Sequence, residues 1–260
     1  MSLYEFIDLE ISDNIATLSL NRPDALNSLT FELMAEARHA LDEIQNNRSI
    51  RALILTGNGR GFCAGQDLKN RIPPGEDMVD ILMERYFPVF KAIRNCRVPV
   101  IVAVNGVAAG GGASLALSGD IILAAKSAKF IQIFSRIGLS PDLGSTYLLS
   151  RAIGRARALE MMMTNEPVMA MQAAEMGMIN HCVDDADLMV RARELASKLA
   201  VGATYALELT RKMVDDGEDE IFERCFRREL ETNRILRDTK DSREGVAAFL
   251  EKRTANFQGQ

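Results

Sequence analysis

The stretch Val98-Pro99-Val100-Ile101-Val102-Ala103-Val104-Asn105-Gly106-Val107-Ala108-Ala109-Gly110-Gly111-Gly112-Ala113-Ser114 reads as a strand, a turn and a glycine run that opens a helix. The nearly unbroken apolar run from Val98 to Val104 is what a strand covered on both faces requires. Asn105-Gly106 turns the chain, and Ala113 to Leu117 reads as a short helix. Glycines let backbone approach a ligand, and the first N–H groups of a helix have no intrahelical partner. Such a junction can hold a developing oxyanion or be a plain tight turn; spacing alone favours the turn. The G-x-G-x-x-G order of a dinucleotide site is absent, and Gly57-x-Gly59-x-Gly61 does not open a helix in the required way.

Upstream, Arg51 to Thr56 is a second buried strand, followed by the loop Gly57 to Gly65 and then Gln66-Asp67-Leu68. Ligands favour the carboxyl ends of parallel strands, so two such loops can aim two N–H donors at one point. Ile7, Leu9, Ile11 and then Ile15 to Leu20 alternate around Asp13-Asn14, a hairpin pattern. Thr30 is placed to cap a helix with apolar residues at Leu33, Ala37, Leu41 and Ile44. Ile72 to Asp77, with two prolines and a glycine, reads as a mobile loop, and a helix is predicted from Val79 to Asn95. Asp120 to Ala125 and Lys129 to Ile133 read as further strands. This order predicts an α/β core with a mostly parallel sheet. Beyond Gly144 the chain turns helical, with an amphipathic stretch from Leu188 to Leu199. Helices follow near Ala203 to Val214, Glu218 to Leu236 and Ser242 to Lys252. The chain divides into a core, residues 1–198, and a helical region, residues 199–260.

Apolar residues make up 47% of the chain and charged ones 26%, the balance of a folded globular protein. A net charge of −5 with no Lys/Arg block argues against a nucleic-acid or membrane surface. The N-terminus carries acids and lacks the apolar run of a secretory signal, and Val98 to Val104 is far too short to span a bilayer. A cytoplasmic protein is therefore expected. The cysteines Cys63, Cys96, Cys182 and Cys225 are scattered, which points away from a disulfide framework or a zinc site. His39 and His181 read as surface or packing residues. The chemistry should then need neither a histidine base nor a metal.

Three segments taken together resemble the crotonase (enoyl-CoA hydratase/isomerase) family: Asn21-Arg22-Pro23-Asp24-Ala25-Leu26-Asn27, Gly61-Phe62-Cys63-Ala64-Gly65-Gln66-Asp67-Leu68, and Val104 to Gly112. Asp120 to Ala124, Gly138-Leu139-Ser140-Pro141-Asp142-Leu143-Gly144 and Ala248 to Arg253 extend the resemblance over essentially the whole chain. It implies a crotonase-like α/β core of repeated β-β-α units with a C-terminal helical region, assembled as a homotrimer or a dimer of trimers. It further implies an acyl-CoA substrate and no prosthetic group. The thioester oxygen is expected between the backbone N–H groups of Ala64 and Gly111. By the same resemblance Arg22, Ala25, Ala64, Gln66, Asp67 and Leu68 lie along the CoA, with Phe249 and Lys252 at its nucleotide end.

The family's hydratases use two glutamates, and by resemblance these positions are Ser114 and Phe134 here. A lone serine hydroxyl is no general base near neutral pH, and phenylalanine carries no proton. Asp142 remains. On its residues alone Ser140-Pro141-Asp142 reads as a helix cap, whereas the resemblance puts the acid of the family's isomerases there. The implied activity is an acyl-CoA isomerase with a single carboxylate. It would move a double bond from 3-enoyl-CoA to 2-enoyl-CoA, or rearrange a ring-1,2-epoxyphenylacetyl-CoA to an oxepin. An enoyl-CoA hydratase with a different acid/base set is the alternative. Two other classes compete. Gly112-Ala113-Ser114-Leu115-Ala116 mimics the nucleophile elbow of a thioester hydrolase, with neither histidine evidently placed to serve it. A non-catalytic CoA-ester binding protein would keep the loops without using Asp142. Cys63 as a nucleophile lacks a nearby base and reads as packing. Met78 to Phe87 is the expected acyl lining.

Overall fold

The computed structural model describes residues 3–255 apart from 70, 71, 73, 203 and 216–218. Strands β1 (Ile7–Ser12) and β2 (Ile15–Leu20) form the expected antiparallel hairpin, turning through Asp13 and Asn14, both at positive φ. Short polar side chains tolerate that left-handed backbone, which a two-residue hairpin turn requires. Helix α1 (Phe31–Asn46) follows, its Leu33 N–H donating to the Thr30 hydroxyl. Leu33, Ala37, Leu41 and Ile44 are its buried face.

A repeating unit then builds the core. β3 (Ala52–Gly57) and β4 (Gly61–Cys63) are followed by α2 (Met78–Arg85) and α3 (Phe87–Arg94). β5 (Val100–Val104) and β6 (Val107–Ala109) are followed by α4 (Gly111–Leu117), and β7 (Ile121–Ala125) and β8 (Lys129–Ile131) come next. After α5 (Ser145–Thr164) the chain adds β9 (Val168–Met169), α6 (Ala170–Glu175) and β10 (His181–Val183). Within each unit the first strand enters one sheet and the second enters the other. The larger sheet has the order β1-β2-β3-β5-β7-β10, the smaller β4-β6-β8-β9. All pairs are parallel except β1 with β2 and β8 with β9. β2, β3 and β5 are buried throughout, as a parallel sheet covered on both faces demands. The fold is thus the α/β arrangement of β-β-α units, closed by α7 (Leu188–Ala200), α8 (Thr204–Asp215), α9 (Asp219–Arg237) and α10 (Lys240–Glu251).

Three boundaries differ from the sequence reading. The helix expected over Val79–Asn95 is two helices broken at Tyr86, because Pro88 has no N–H to continue the ladder and its ring crowds the preceding turn. The strand expected to Ile133 stops at Ile131, and Phe134–Ile137 is a 3-10 turn ending at Gly138. A division after residue 198 falls inside the last turn of α7, which ends at Ala200. The loop expected from residue 72 to 77 lies partly outside the described residues, as does residue 203 at the start of the next predicted helix.

The C-terminal helices return to the core of their own chain. α9 packs on α2 and α5, and α10 packs on the Phe134–Ile137 turn. Phe222 and Phe226 of α9 are buried and meet Phe87, Phe90 and Tyr147 at ring-centroid distances of 5.1–6.0 Å. Burying each ring stabilises the docked helix by roughly 1.5–3 kcal/mol. That docking carries Glu229 and Asn233 of α9 onto the segment from Ser140 to Thr146. Among the described residues no helix is long and apolar enough to cross a membrane.

Candidate active site

Two loops meet at the carboxyl ends of β4 and β6. Gly65, at φ 89°, lies so close to the β6–α4 turn that an added Cβ would come 2.7 Å from the Ala109 carbonyl oxygen and 3.3 Å from the Gly111 nitrogen. A Cβ on Gly112 would come 2.1 Å from the Cys63 carbonyl oxygen. Only glycine permits this backbone-to-backbone approach. Gly111 is the first residue of α4, and its N–H has no hydrogen-bond partner among the described residues.

The partner donor is not the one expected. Ala64 N–H donates to the Leu26 carbonyl at 2.9 Å, so it is already used. The free donor is two residues on. Leu29 bonds to the Gly65 carbonyl and to the Asp67 N–H, forming a parallel bridge around Gln66. That geometry turns the Gln66 N–H away from Leu29, and it has no partner among the described residues. Two unpaired N–H groups on adjoining loops are the arrangement that stabilises a developing oxyanion.

Gln66, Asp67, Leu68 and Asp142 line one cavity of about 530 Å³, which Ile72, Met78, Leu139 and Val246 make partly apolar. Arg22, Ala25 and Ala64 lie outside its lining. Arg22 instead pairs with Asp67 at 2.9 Å and bonds to Ser28, bracing the segment beside the cavity. Phe249 and Lys252 are also outside: Val246, Ala247 and Leu250 of α10 face the cavity, while Phe249 is half exposed. The expected acyl lining over Met78–Phe87 reaches the cavity through Met78.

Asp142 is buried and does not cap α5. Among the described residues its one side-chain bond is from Asn233 Nδ2 of α9 to Oδ2, at 3.0 Å. Next to it Leu143 and Gly144 both take positive φ, 50° and 83°, a costly conformation for leucine that persists only where surroundings impose it. Leu143 packs on Gly111, where an added Cβ would meet its Cδ1 at 2.5 Å. The acid is therefore held beside the free N–H groups. Burial pushes the Asp142 carboxyl up to about 7, and the neighbouring Glu229 adds to this; the Asn233 hydrogen bond and Arg237 oppose it.

The cap that the residues alone would give to Asp142 is supplied by Glu229 of α9. Its carboxylate accepts from Gly144 N–H at 2.7 Å, from Thr146 N–H at 2.9 Å and from the Thr146 hydroxyl. A carboxylate at a helix N-terminus is favourably placed. Glu229→Gln is expected to lose about 1–3 kcal/mol of stability, since one oxygen cannot serve both sets of donors. Urea unfolding followed by circular dichroism measures this; an unchanged midpoint would refute the capping role.

Phe134 stands beside Gly110, where an added Cβ would meet its Cζ at 3.4 Å, so an apolar ring borders the glycine run. The Ser114 hydroxyl is fully buried and bonds to the Ser145 hydroxyl at 2.6 Å, while His39 bonds to Tyr4 and His181 is exposed on β10. The elbow serine therefore has no histidine, and the hydrolase reading fails. Cys63 is buried and its thiol is pushed up to about 12, against a nucleophilic role. Sequence reading missed Glu229 and Asn233. The available signal was their four-residue spacing, continued by Arg237, beside the apolar Phe222, Phe226 and Leu230 of the same helix.

A two-sheet core of β-β-α units thus brings two unpaired N–H groups onto adjoining loops, beside a cavity that holds a buried acid. The chain belongs to the enoyl-CoA hydratase/isomerase family, whose model matches residues 10–260. It is 43% identical to the 1,2-epoxyphenylacetyl-CoA isomerase of Escherichia coli over 99% of this chain and 100% of that protein. It is 34% identical to the (E)-benzylidenesuccinyl-CoA hydratase of Thauera aromatica, over 97% of this chain and 99% of that one. The crystal structure of an enoyl-CoA hydratase/isomerase from Pseudoalteromonas atlantica superposes with a TM-score of 0.89 at 30% identity, covering 98% and 100% of the two chains.

Proposed function

We propose that this enzyme is an acyl-CoA isomerase that works through a thioester enolate and one proton carrier, Asp142. The observation that carries this reading is the single available acid. Asp142 is buried in the cavity with its Oδ1 free of hydrogen bonds among the described residues. Asp67 in the same cavity is paired with Arg22, Glu251 of its lining is paired with Arg253 at 2.6 Å, and Glu229 is spent as a helix cap. Hydration needs a second group to deliver a proton, whereas double-bond migration needs only one.

In this mechanism the thioester oxygen accepts from the N–H groups of Gln66 and Gly111. Asp142 takes a proton from C2 of a 3-enoyl-CoA, and the C–H electron pair passes into the dienolate. The same carboxyl returns the proton at C4, leaving the double bond between C2 and C3. The apolar lining and Phe134 exclude water, which keeps the carboxylate basic. Rearrangement of a ring-1,2-epoxyphenylacetyl-CoA is the second substrate class, supported by the similarity to the Escherichia coli isomerase. Phe249 and Lys252, turned away from their own cavity, are offered to CoA held by a neighbouring copy in a trimer.

The test supplies 3-enoyl-CoA and 2-enoyl-CoA separately to the purified protein in heavy water, with products read by NMR. Conversion of the 3-enoyl ester to the 2-enoyl ester, with much protium retained at C4, is expected. Net formation of 3-hydroxyacyl-CoA as the main product would overturn the proposal in favour of a hydratase.

A further inference from the structure

Asn233 comes from a helix ninety-one residues away in sequence, yet it is buried, 1% exposed, and bonds to both ends of the Asp142 loop. Its Oδ1 accepts from the Ser140 N–H at 2.9 Å and from the Ser140 hydroxyl at 3.0 Å. A backbone N–H can only donate, so it settles which end of the amide faces Ser140. The Nδ2 end must then face Asp142, where it donates to Oδ2 at 3.0 Å. An amide nitrogen cannot accept a proton from the carboxyl. One oxygen of Asp142 is thereby committed as an acceptor, and the other is left toward the cavity.

We infer that Asn233 is a positioning residue, which holds Asp142 by Oδ2 so that Oδ1 alone takes and returns the substrate proton. This rests on the proposed role of Asp142. The Ser140 contacts fix the amide, the amide fixes the carboxyl plane, and the left-handed Leu143-Gly144 pair fixes the loop behind it. With one oxygen held, proton removal at C2 and delivery at C4 share one lone-pair direction and need no rotation of the carboxyl. Two side chains of the same helix flank the pair: Glu229 disfavours the charged carboxylate and Arg237 favours it. Tyr86, whose hydroxyl donates to the Leu29 carbonyl, faces it from the α2–α3 break. Arg243 and Glu251 of α10 and Asp67 complete the charged lining of the cavity.

The test compares Asn233→Ala and Asn233→Asp with wild type, following kcat, KM and the pH profile of 3-enoyl-CoA isomerisation. Asn233→Ala is expected to lower kcat roughly 10- to 100-fold with KM little changed. The acid limb of its profile should move up by about one pH unit, since a donor to the ionised carboxylate is gone. Asn233→Asp keeps the shape and the Ser140 contacts but puts a second carboxyl beside the first, so its acid limb should move up further. Glu229→Gln removes a neighbouring negative charge, and its limb should move down. A merely structural role for Asn233 would lower the unfolding temperature without moving the limb. If Asn233→Ala does not fold, the near-isosteric Asn233→Asp decides. An unmoved limb with near-wild-type kcat in the folded variant overturns the inference. Asp142→Asn separates the two claims: if it stays active, the reading of Asp142 itself fails. If it is dead while Asn233 variants behave as wild type, only the positioning inference falls.

Discussion

Asp142→Asn is expected to lower kcat for double-bond migration about 10³-fold while leaving CoA-ester binding nearly unchanged. Asparagine preserves the shape and can still meet Asn233, so the N–H groups and the cavity remain in place. The pH profile of the wild type should report the same group. With the Asp142 carboxyl at about 7, kcat/KM rises with pH through neutrality, falling about tenfold per unit below it, because only the ionised form can take the C2 proton. The same substitution should make the protein more stable, in a defined window. Unfolded, this carboxyl returns to the ordinary value of 3.8, so between about 4 and 7 the folded state holds a proton that the unfolded state has released. Stability therefore falls across that range as pH rises, and Asp142→Asn removes the fall. Thermal unfolding should show no difference between the two proteins below pH 4 and a higher Tm for the variant above pH 7. Full activity in Asp142→Asn would end the proton-carrier reading, and a pH-independent Tm difference would show that the carboxyl is not ionised at a cost in the native state.

How much of this was legible in the sequence depended on how local the signal was. The Asp13-Asn14 hairpin, the Thr30 cap and the apolar strands β3 and β5 were readable because short-range backbone and burial rules decide them. Gly111 was singled out by the resemblance, since spacing alone favoured a plain tight turn, and its N–H is unpaired among the described residues. Ala64 was assigned the second N–H, but that group is bonded to Leu26, and the unpaired N–H lies two residues on. Which N–H a loop leaves free depends on its partner strand, and the partner here is the Leu26–Leu29 segment, thirty-five residues upstream of Ala64 at its nearer end. No reading of the loop by itself contains that information. The cap that the residues alone suggested for Asp142 was misleading for a similar reason. Glu229 reaches the same helix end from α9, freeing Asp142, and only the packing of Phe222 and Phe226 brings α9 there. Distant polar residues that complete a site are the least visible class, because their own helix explains them adequately as surface.

Gly65→Ala is expected to lower kcat by about 10²–10³-fold, the loss typical of one missing oxyanion donor. The argument is steric and leaves little room for relaxation. The new methyl would stand 2.7 Å from the Ala109 carbonyl oxygen, a backbone atom at the carboxyl end of β6, and the residue would have to hold φ 89°. Either the Gly65 peptide rotates or β4 and β6 separate, and both carry the Gln66 N–H away from Gly111. CoA contacts outside this junction are untouched, so KM should change far less than kcat. The variant alone does not say which N–H matters, and an amide-to-ester replacement does. Placed at residue 66 it deletes the Gln66 N–H, weakens the Gly65 carbonyl that accepts from Leu29 only slightly, and should reproduce the loss in kcat with little change in Tm. Placed at residue 64 it deletes the donor that bonds to Leu26, so Tm should fall while the turnover of folded protein is kept. The reverse pattern, turnover lost at 64 and stability lost at 66, would return the thioester oxygen to Ala64.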